Sequence, residues 1–496
     1  MTPSLFILLC SIAAPWFSPN VRIDHERPSH QCVEPAMAVG PGAPSCQPIY
    51  VVCEEDSMHG FVPGDADLMF QKSTDAGATW LAEDKLVRHI GITNLSPDVT
   101  TDPDGNVYIV YTGRDTSTYT GHYYCVRSTD GGVTWCEPVQ IDDNVTESRD
   151  VQWARVASDS AGHLFCAWTD IRDQRDVWSS VSTDRGATWG ANVRVSNDTT
   201  HAIGGFGDVD VFVEPGTNQY LVAARWFHYT SLSVETGYQY EIHLYRSTDG
   251  GLTFQPSVRL DTFGPFVGDP HVVADRDHMI CDYTGNPGDK DGQCLTESRT
   301  FYVGPDTWGS VVAVSDTMFR SYYHGGKLAL SSDGRVHTAL MVYAGDWQIH
   351  YASSSDHGAS WSGGTRVNDG GGATQFPDIG VDSEGYAYLV WCDLRNNRNE
   401  LWFSTNHPLA IAEEPTRQSF SAQPSATVVR NFLLLREATS HKPQAASSLL
   451  DIGGRQVMVL KPGANDVRAL APGVYFVREA QAQAQAQAVR KVVVTR

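Results

Sequence analysis

Positive charge is scarce in this chain. Its 496 residues carry 36 Lys and Arg against 58 Asp and Glu, a formal net charge of −22. That balance argues against nucleic acid or an anionic membrane as partner, since both attract basic surface. It fits a solvated acidic exterior. Helical periodicity of useful length is also missing beyond the first residues. The apolar run LFILLCSIAA from Leu5 is too short to span a bilayer and reads as the core of a signal peptide over residues 1–18. No Lys or Arg precedes it, and Leu9 stands where a lipid-anchored Cys10 would want a small residue. Cysteines number ten, nine without Cys10, so at least one thiol is unpaired or pairs elsewhere. Cys125 with Cys136, and Cys281 with Cys294, bracket hairpins and are expected as cross-strand disulfides in an oxidising compartment. Cys166 and Cys392 sit in apolar strands and read as core.

What the chain does have is repetition. STDAGATW from Ser73 returns as STDGGVTW from Ser128, STDRGATW from Ser182, STDGGLTF from Ser247 and SSDHGASW from Ser354. The aspartates are Asp75, Asp130, Asp184, Asp249 and Asp356, at spacings of 55, 54, 65 and 107. A fixed period of this size marks an array of like units, and the last gap spans two of them. Ser and Asp side chains can bond nearby backbone N–H groups, Gly supplies positive φ, and the closing aromatic pins the hairpin. Each of Trp80, Trp135, Trp189, Phe254 and Trp361 is expected to be buried beneath its own turn. The phrase resembles the Asp box, or BNR repeat, of the sialidase superfamily, over about residues 19–412. In that family the box marks the fold and lies away from the active site.

A strand–turn–strand pattern precedes each box, as in SPDVTTDPDGNVYIVY from Ser96 and PDIGVDSEGYAYLVW from Pro377; seven such hairpins can be counted. Short outer strands follow the boxes, such as NVRVS from Asn192. Four antiparallel strands per unit make a propeller blade. The seventh unit ends at LWFSTNHP, with Asn406 at the Asp position and no outer strand; NVRID from Asn20 copies that missing strand and is expected to pair with 401–404, closing the ring. The prediction is an all-β propeller of seven four-stranded blades, with six, as in sialidases, as the alternative.

After Glu413 the composition turns to Ser, Ala, Gln and Pro, read as a linker over 413–430. Residues 431–496 then read as a small β-sandwich. The D-x-x-G-R-x-V phrase at Asp451–Val457, the phrase around Pro472–Val477 and the final basic strand closely resemble the type A sorting domain of the type IX secretion system. That resemblance implies export across the outer membrane of a Gram-negative cell and contact with the secretion machinery. The other reading is an ordinary accessory sandwich.

Loops on a rigid scaffold carry function, and blade exits here are rich in arginine. Sialidases hold a substrate carboxylate with three arginines, whose guanidinium pairs bidentately with it. By that resemblance Arg114, Arg172, Arg225, Arg320 and Arg395 are candidate substrate residues. Against this, WTDIRDQRDVW and WCDLRNNRNELW are nearly one phrase, so Arg172 with Asp170 and Arg395 with Asp393 also read as structural ion pairs. Sialidases further use a Tyr nucleophile with a Glu partner and an acidic acid/base. Tyr322 and Tyr343 are candidates for the first, Glu54 and Asp56 for the acid. The family's Phe/Tyr-Arg-Ile-Pro phrase is replaced by VRIDHERP at Val21. Asp289 and Asp291, alternate residues beside Gly292, could be part of a calcium loop or an ordinary turn; no other cofactor is expected. Two functions remain open: an exo-α-sialidase-type hydrolase acting on terminal acidic sugars, or a non-catalytic propeller binding glycan or protein at the cell surface. The expected partner is a glycan or glycoprotein, and the expected state is a monomer.

Overall fold

The computed structural model describes residues 17–408, except 26–29, 44–45, 58–65, 88, 119, 144–151, 171–175, 197–203, 230–237, 262–266, 286–294, 305–306, 315–326 and 371–372. In the tail it describes 427–429, 432–435, 447–450, 455–461, 463–468, 470–471, 473–478 and 489–494. The chain forms two compact units, 1–412 and 413–496.

The first unit is a seven-bladed propeller of antiparallel sheets. Its inner strands, blades 1 to 7, are His30–Val39, Ile92–Thr101, Gln152–Ser158, Gly204–Val213, Val267–Ala274, Leu328–Leu330 and Thr374–Val381. The second strands read as continuous apolar runs rather than alternating ones. VYIVYTG of Val107–Asp115 is buried throughout, because neighbouring blades cover both faces of the sheet. The core is correspondingly shared between blades. Tyr50, Val52 and Phe70 of blade 1 pack with Val99, Val107 and Ile109 of blade 2.

The ring closes as the sequence suggests. Val21 pairs with Phe403 and Arg22 with Trp402, so the N-terminal strand completes blade 7. Arg22 Nη1 lies 2.8 Å from a Glu400 carboxylate oxygen, and Asp24 accepts the Leu401 N–H at 2.9 Å. Blade 5 has no box. Its third strand, Leu295–Tyr302, carries two short outer pieces, Thr307–Trp308 and Val312–Ala313.

All five boxes share one network. In the first, Ser73 Oγ accepts the Gly77 N–H at 2.8 Å and donates to Asp75 at 2.8 Å; Asp75 accepts the Thr79 N–H at 2.8 Å and the Thr79 hydroxyl at 2.6 Å. The residue after each Asp is left-handed, with φ from 55° at His357 to 74° at Gly250. One expectation needs correction. Phe254 is buried, but Trp80, Trp135, Trp189 and Trp361 are half-buried. Instead of lying beneath their own boxes, they latch onto the preceding blade. Trp135 meets Phe70 edge-on at 5.2 Å, Trp80 meets Phe403 at 4.9 Å, and Trp361 Nε1 donates to Ser298 Oγ at 2.8 Å.

The Cys125–Cys136 disulfide is not formed. Cys125 packs in the core between blades 2 and 3 while Cys136 is exposed, so their side chains occupy different environments. Cys281 is a buried free thiol, and Cys294 lies outside the described residues. Cys166 and Cys392 are fully buried.

In the second unit, a five-stranded sheet is ordered Thr427–Val429, Val489–Val494, Gly473–Arg478, Ser447–Leu450, Gln456–Leu460. Phe432–Leu435 pairs with Gly463–Asp466 in a two-stranded sheet. Leu449, Leu460, Val467 and Tyr475 form its core. Thr427–Val429, within the segment read as linker, runs parallel to Val489–Val494. Residues 451–454 and Pro472 of the sorting-like phrases lie outside the described residues.

Candidate functional site at the channel mouth

Six inner strands break register at the same place. The shifts fall between Val33 and Ala36, Leu95 and Asp98, Gln152 and Arg155, Phe206 and Val209, Gly268 and His271, and Gln375 and Asp378. At five of them the bulged residue is left-handed: Glu34 (φ 48°), Ser96 (49°), Trp153 (24°), Asp269 (44°) and Phe376 (52°). Non-glycine residues seldom adopt this conformation, and such strain gathers at functional positions. Proline follows the bulged residue four times, as Pro35, Pro97, Pro270 and Pro377. It fixes φ and donates no ladder bond, so the strand kinks there. The bulges set Glu34, Trp153, Asp269 and Phe376 around a cavity of about 80 Å³ that Arg155, His271 and Lys327 also line.

Below these residues lies a network of charge. Lys327 Nζ is 3.1 Å from Asp98 and 3.0 Å from Asp378. The two aspartates belong to blades 2 and 7, so a blade 6 lysine ties three blades together. The carboxylates also staple neighbouring inner strands. Asp98 accepts the Val156 N–H at 2.9 Å, Asp210 that of Val272 at 3.0 Å and Asp378 that of Met37 at 2.8 Å. His271 Nδ1 is 3.2 Å from Asp282, which accepts the Thr338 hydroxyl at 3.2 Å.

The pKa shifts follow from this packing. Burial disfavours the Asp98 carboxylate, but Lys327 and Arg155 more than offset it, and Asp98 titrates below its ordinary value. For Asp378 burial outweighs Lys327 and the shift is upward. The two partners of one lysine thus move in opposite directions, because Asp98 also has Arg155 nearby. Burial opposes the Lys327 charge, yet Asp378 and Asp98 raise its pKa. His271 is likewise raised, Asp282 outweighing burial.

The described members of the predicted site set fall at several places on the propeller. Arg225 reaches the cavity wall: its guanidinium is 3.1 Å from Asp208, a lining residue, and lies over the Tyr240 ring at 5.6 Å. Arg395 is held by Asp393 at 2.6 Å and Asp369 at 3.0 Å, with its guanidinium 3.7 Å from the Trp402 ring centre. Arg114 is half-buried on Val107–Asp115, opposite Thr93. Glu54 is buried and accepts the N–H of the strained Ser96 at 3.0 Å, which makes it a support of the rim. Asp56 pairs with Gln31 near the end of Ile49–Ser57. Tyr343 is exposed in blade 6 and meets Trp347 edge-on at 5.1 Å. Arg172, Arg320, Tyr322, Asp289 and Asp291 lie outside the described residues. The five box aspartates sit in their turns, bonded as above. Glu34, Trp153, Arg155, Asp269 and Lys327 were not singled out from sequence. For Glu34 and Asp269 the signal is the proline that follows each of them; Trp153, Arg155 and Lys327 carry none.

The BNR repeat-like domain profile matches residues 14–264, or 251 of the 496. The chain belongs to the BNR repeat-like family. No curated protein matches it. Among solved structures, a protein of unknown function from Dyadobacter fermentans DSM 18053 is 14% identical, covering 79% of this chain and 99% of its own, with a TM-score of 0.48. An ulvan lyase of polysaccharide lyase family PL25 is 10% identical, covering 76% and 93%, with a TM-score of 0.50. A Trypanosoma rangeli sialidase in complex with 2,3-difluorosialic acid is 14% identical, covering 65% and 55%, at 0.44. At 10% identity and a TM-score of 0.50, the likeness of this BNR-family chain to the ulvan lyase is one of fold alone.

Proposed function

We propose that this BNR-family propeller binds a glycan across its channel mouth. The observation that carries the reading is the ring of left-handed bulges presenting two aromatics, Trp153 and Phe376, and two carboxylates, Glu34 and Asp269, around one cavity. Aromatic faces pack against the apolar face of a sugar ring, and carboxylates accept its hydroxyls. Trp153 Nε1 donates to Glu34 at 3.1 Å, which orients both groups. Size decides where the sugar lies. A ligand pocket usually offers about 300–1,000 Å³. The 80 Å³ here holds water or an ion, so the glycan lies on the mouth while the Lys327 network plugs the channel below.

A second reading is hydrolysis of terminal acidic sugars. It is favoured by Arg225 at the cavity wall and by carboxylates held on strained backbone. It further requires Arg172, Arg320 and Tyr322 to converge on the same mouth. Purified full-length chain should bind on an array of neutral and acidic glycans and lose that binding as Trp153→Ala. Release of fluorophore from a sialoside, abolished by Tyr322→Phe, would establish the hydrolase; binding without release establishes the binder.

We also propose that the chain is exported and displayed or released outside a Gram-negative cell, with residues from about 431 as its sorting tail. The apolar start and the tail phrases support this. Truncation from Ser448 should strand a folded propeller in the periplasm. Normal yield of the truncated chain at the surface or in the medium contradicts the sorting role.

A further inference from the structure

We propose a transition-metal site between blades 5 and 6, formed by Asp275, His278 and His357. The three side chains belong to neither the channel mouth nor the predicted Asp289–Asp291 loop. Asp275 and His278 flank the inner hairpin turn of blade 5, and His357 follows the box aspartate of blade 6. One ligand atom from each lies within 4.8 Å of the others. His278 Nδ1 is 2.9 Å from Asp275 Oδ1, and His357 Nδ1 is 3.0 Å from Asp275 Oδ2. The two imidazoles stack at 3.8 Å with an interplanar angle of 15°.

Comparison with the other blades shows what is unusual. A box latches onto the inner turn of the preceding blade, and the left-handed residue after its Asp faces that turn. In blade 3 this residue is Arg185, which pairs with Asp104 and lies 3.9 Å from Asp102. The turn aspartates Asp102 and Asp382 each also take a tyrosine hydroxyl, from Tyr108 at 2.8 Å and Tyr388 at 2.7 Å, the second residue of the following strand. In blade 5 that second residue is Met279, which cannot donate. Asp275 therefore turns its second oxygen to two imidazoles. His357 Nδ1 is shielded and makes no hydrogen bond despite its short distance to the carboxylate. Two imidazole nitrogens and one carboxylate around a common point suit a borderline dication such as Zn²⁺, with water completing a tetrahedron.

The site is both held and adjustable. Asp275 Oδ1 accepts the N–H groups of Asp277 at 2.9 Å and His278 at 2.8 Å, and Thr300 Oγ1 donates to the His357 carbonyl at 2.6 Å. These bonds fix the backbones. Parallel rings cannot both aim a lone pair at one ion, so one ring rotates on binding; both are only partly buried, which leaves room for it. The ion would clip blade 5, which has no box of its own, to blade 6.

The test is Zn²⁺ titration of the full-length reduced chain by calorimetry, with melting temperature read in parallel. Because Gly131 and Gly250 occupy the His357 position in two other boxes, His357→Gly should fold. His278→Gln removes the second imidazole. Wild type should bind a saturable equivalent of Zn²⁺ that raises its Tm. Each variant should weaken that equivalent by at least the ~10–100-fold that even outer-shell changes bring. Absence of saturable binding to wild type, or unchanged affinity in His357→Gly, overturns the proposal.

Discussion

Replacing Lys327 by methionine tests whether one buried ammonium holds the middle of the ring. The methionine keeps most of the side chain's volume, so packing changes little and the loss is mainly of charge. Lys327 is 21% exposed, against 8% for Asp98 and 2% for Asp378. Removing one member of a buried pair costs about 3–5 kcal/mol, since the partner is left charged and unpaired. The partial exposure of the lysine favours the lower end, about 3 kcal/mol. At ~2.1 cal/mol/K per residue over roughly 400 residues, that corresponds to a Tm about 4 °C lower. The sign of the pH dependence follows from the aspartates. Asp98 titrates below its ordinary value, so its contribution is present above the carboxylate range and lost as pH falls through its folded pKa. Asp378 titrates above its ordinary value and takes up a proton sooner. The gap between wild type and Lys327→Met should therefore be widest near neutral pH and shrink below about pH 4. Scanning calorimetry of both proteins from pH 7 to pH 3 reads it. A shift near 1 °C, equally small at every pH, would mean a solvent-screened surface pair and would refute the reasoning. Adding Asp98→Asn to the variant should restore part of the loss.

Acid should also weaken the boxes. The side-chain bond from Thr188, then the backbone N–H, holds Asp184 down to about 2, and Thr253 does the same for Asp249. With unfolded carboxyls near ~3.9, that stabilisation is complete above about pH 4 and disappears towards pH 2. Asp184→Asn should flatten the acid limb of a Tm-versus-pH curve; an unchanged limb contradicts the network's role. Deleting residues up to Asp24 should expose the Glu400–Thr405 strand as an open edge and cause aggregation, visible by light scattering. A monodisperse deletion variant would mean that the edge is protected some other way.

The ring was legible because its elements are local and repeated. Each box names its own hairpin, and NVRID copies NVRVS closely enough to place a strand that closes on residues some 380 positions away. The missed burial of the box tryptophans has the same origin. Their partners, Phe70 for Trp135 and Phe403 for Trp80, belong to other blades, and contact across blades leaves no local pattern. The site was harder to read for a similar reason. Arginines at blade exits read equally as substrate-carboxylate binders and as structural ion pairs, and sequence alone does not choose between them. Arg395 takes the second role, with Asp393 as its repeated phrase suggests and with Asp369, which no local pattern indicates. Conversely, Lys327 carries no motif. Its importance comes from lying between Asp98, 229 residues before it, and Asp378, 51 after it, a relation that only the closed ring creates. The bulges are an intermediate case. A proline after Glu34, Ser96, Asp269 and Phe376 is visible in the chain, but the positive φ of those residues accompanies a register shift against the second strand.

The central claim is that the channel mouth is a glycan site built on Trp153. The most direct measurement is calorimetric affinity of the array's best glycan for wild type, Trp153→Ala and Glu34→Gln. Loss of the stacking face should weaken binding at least about tenfold, which is about 1.4 kcal/mol. Glu34→Gln should show a smaller loss, because the amide still accepts from hydroxyls and from the Trp153 indole. Equal affinity in wild type and Trp153→Ala would place the glycan elsewhere on the propeller and contradict the account.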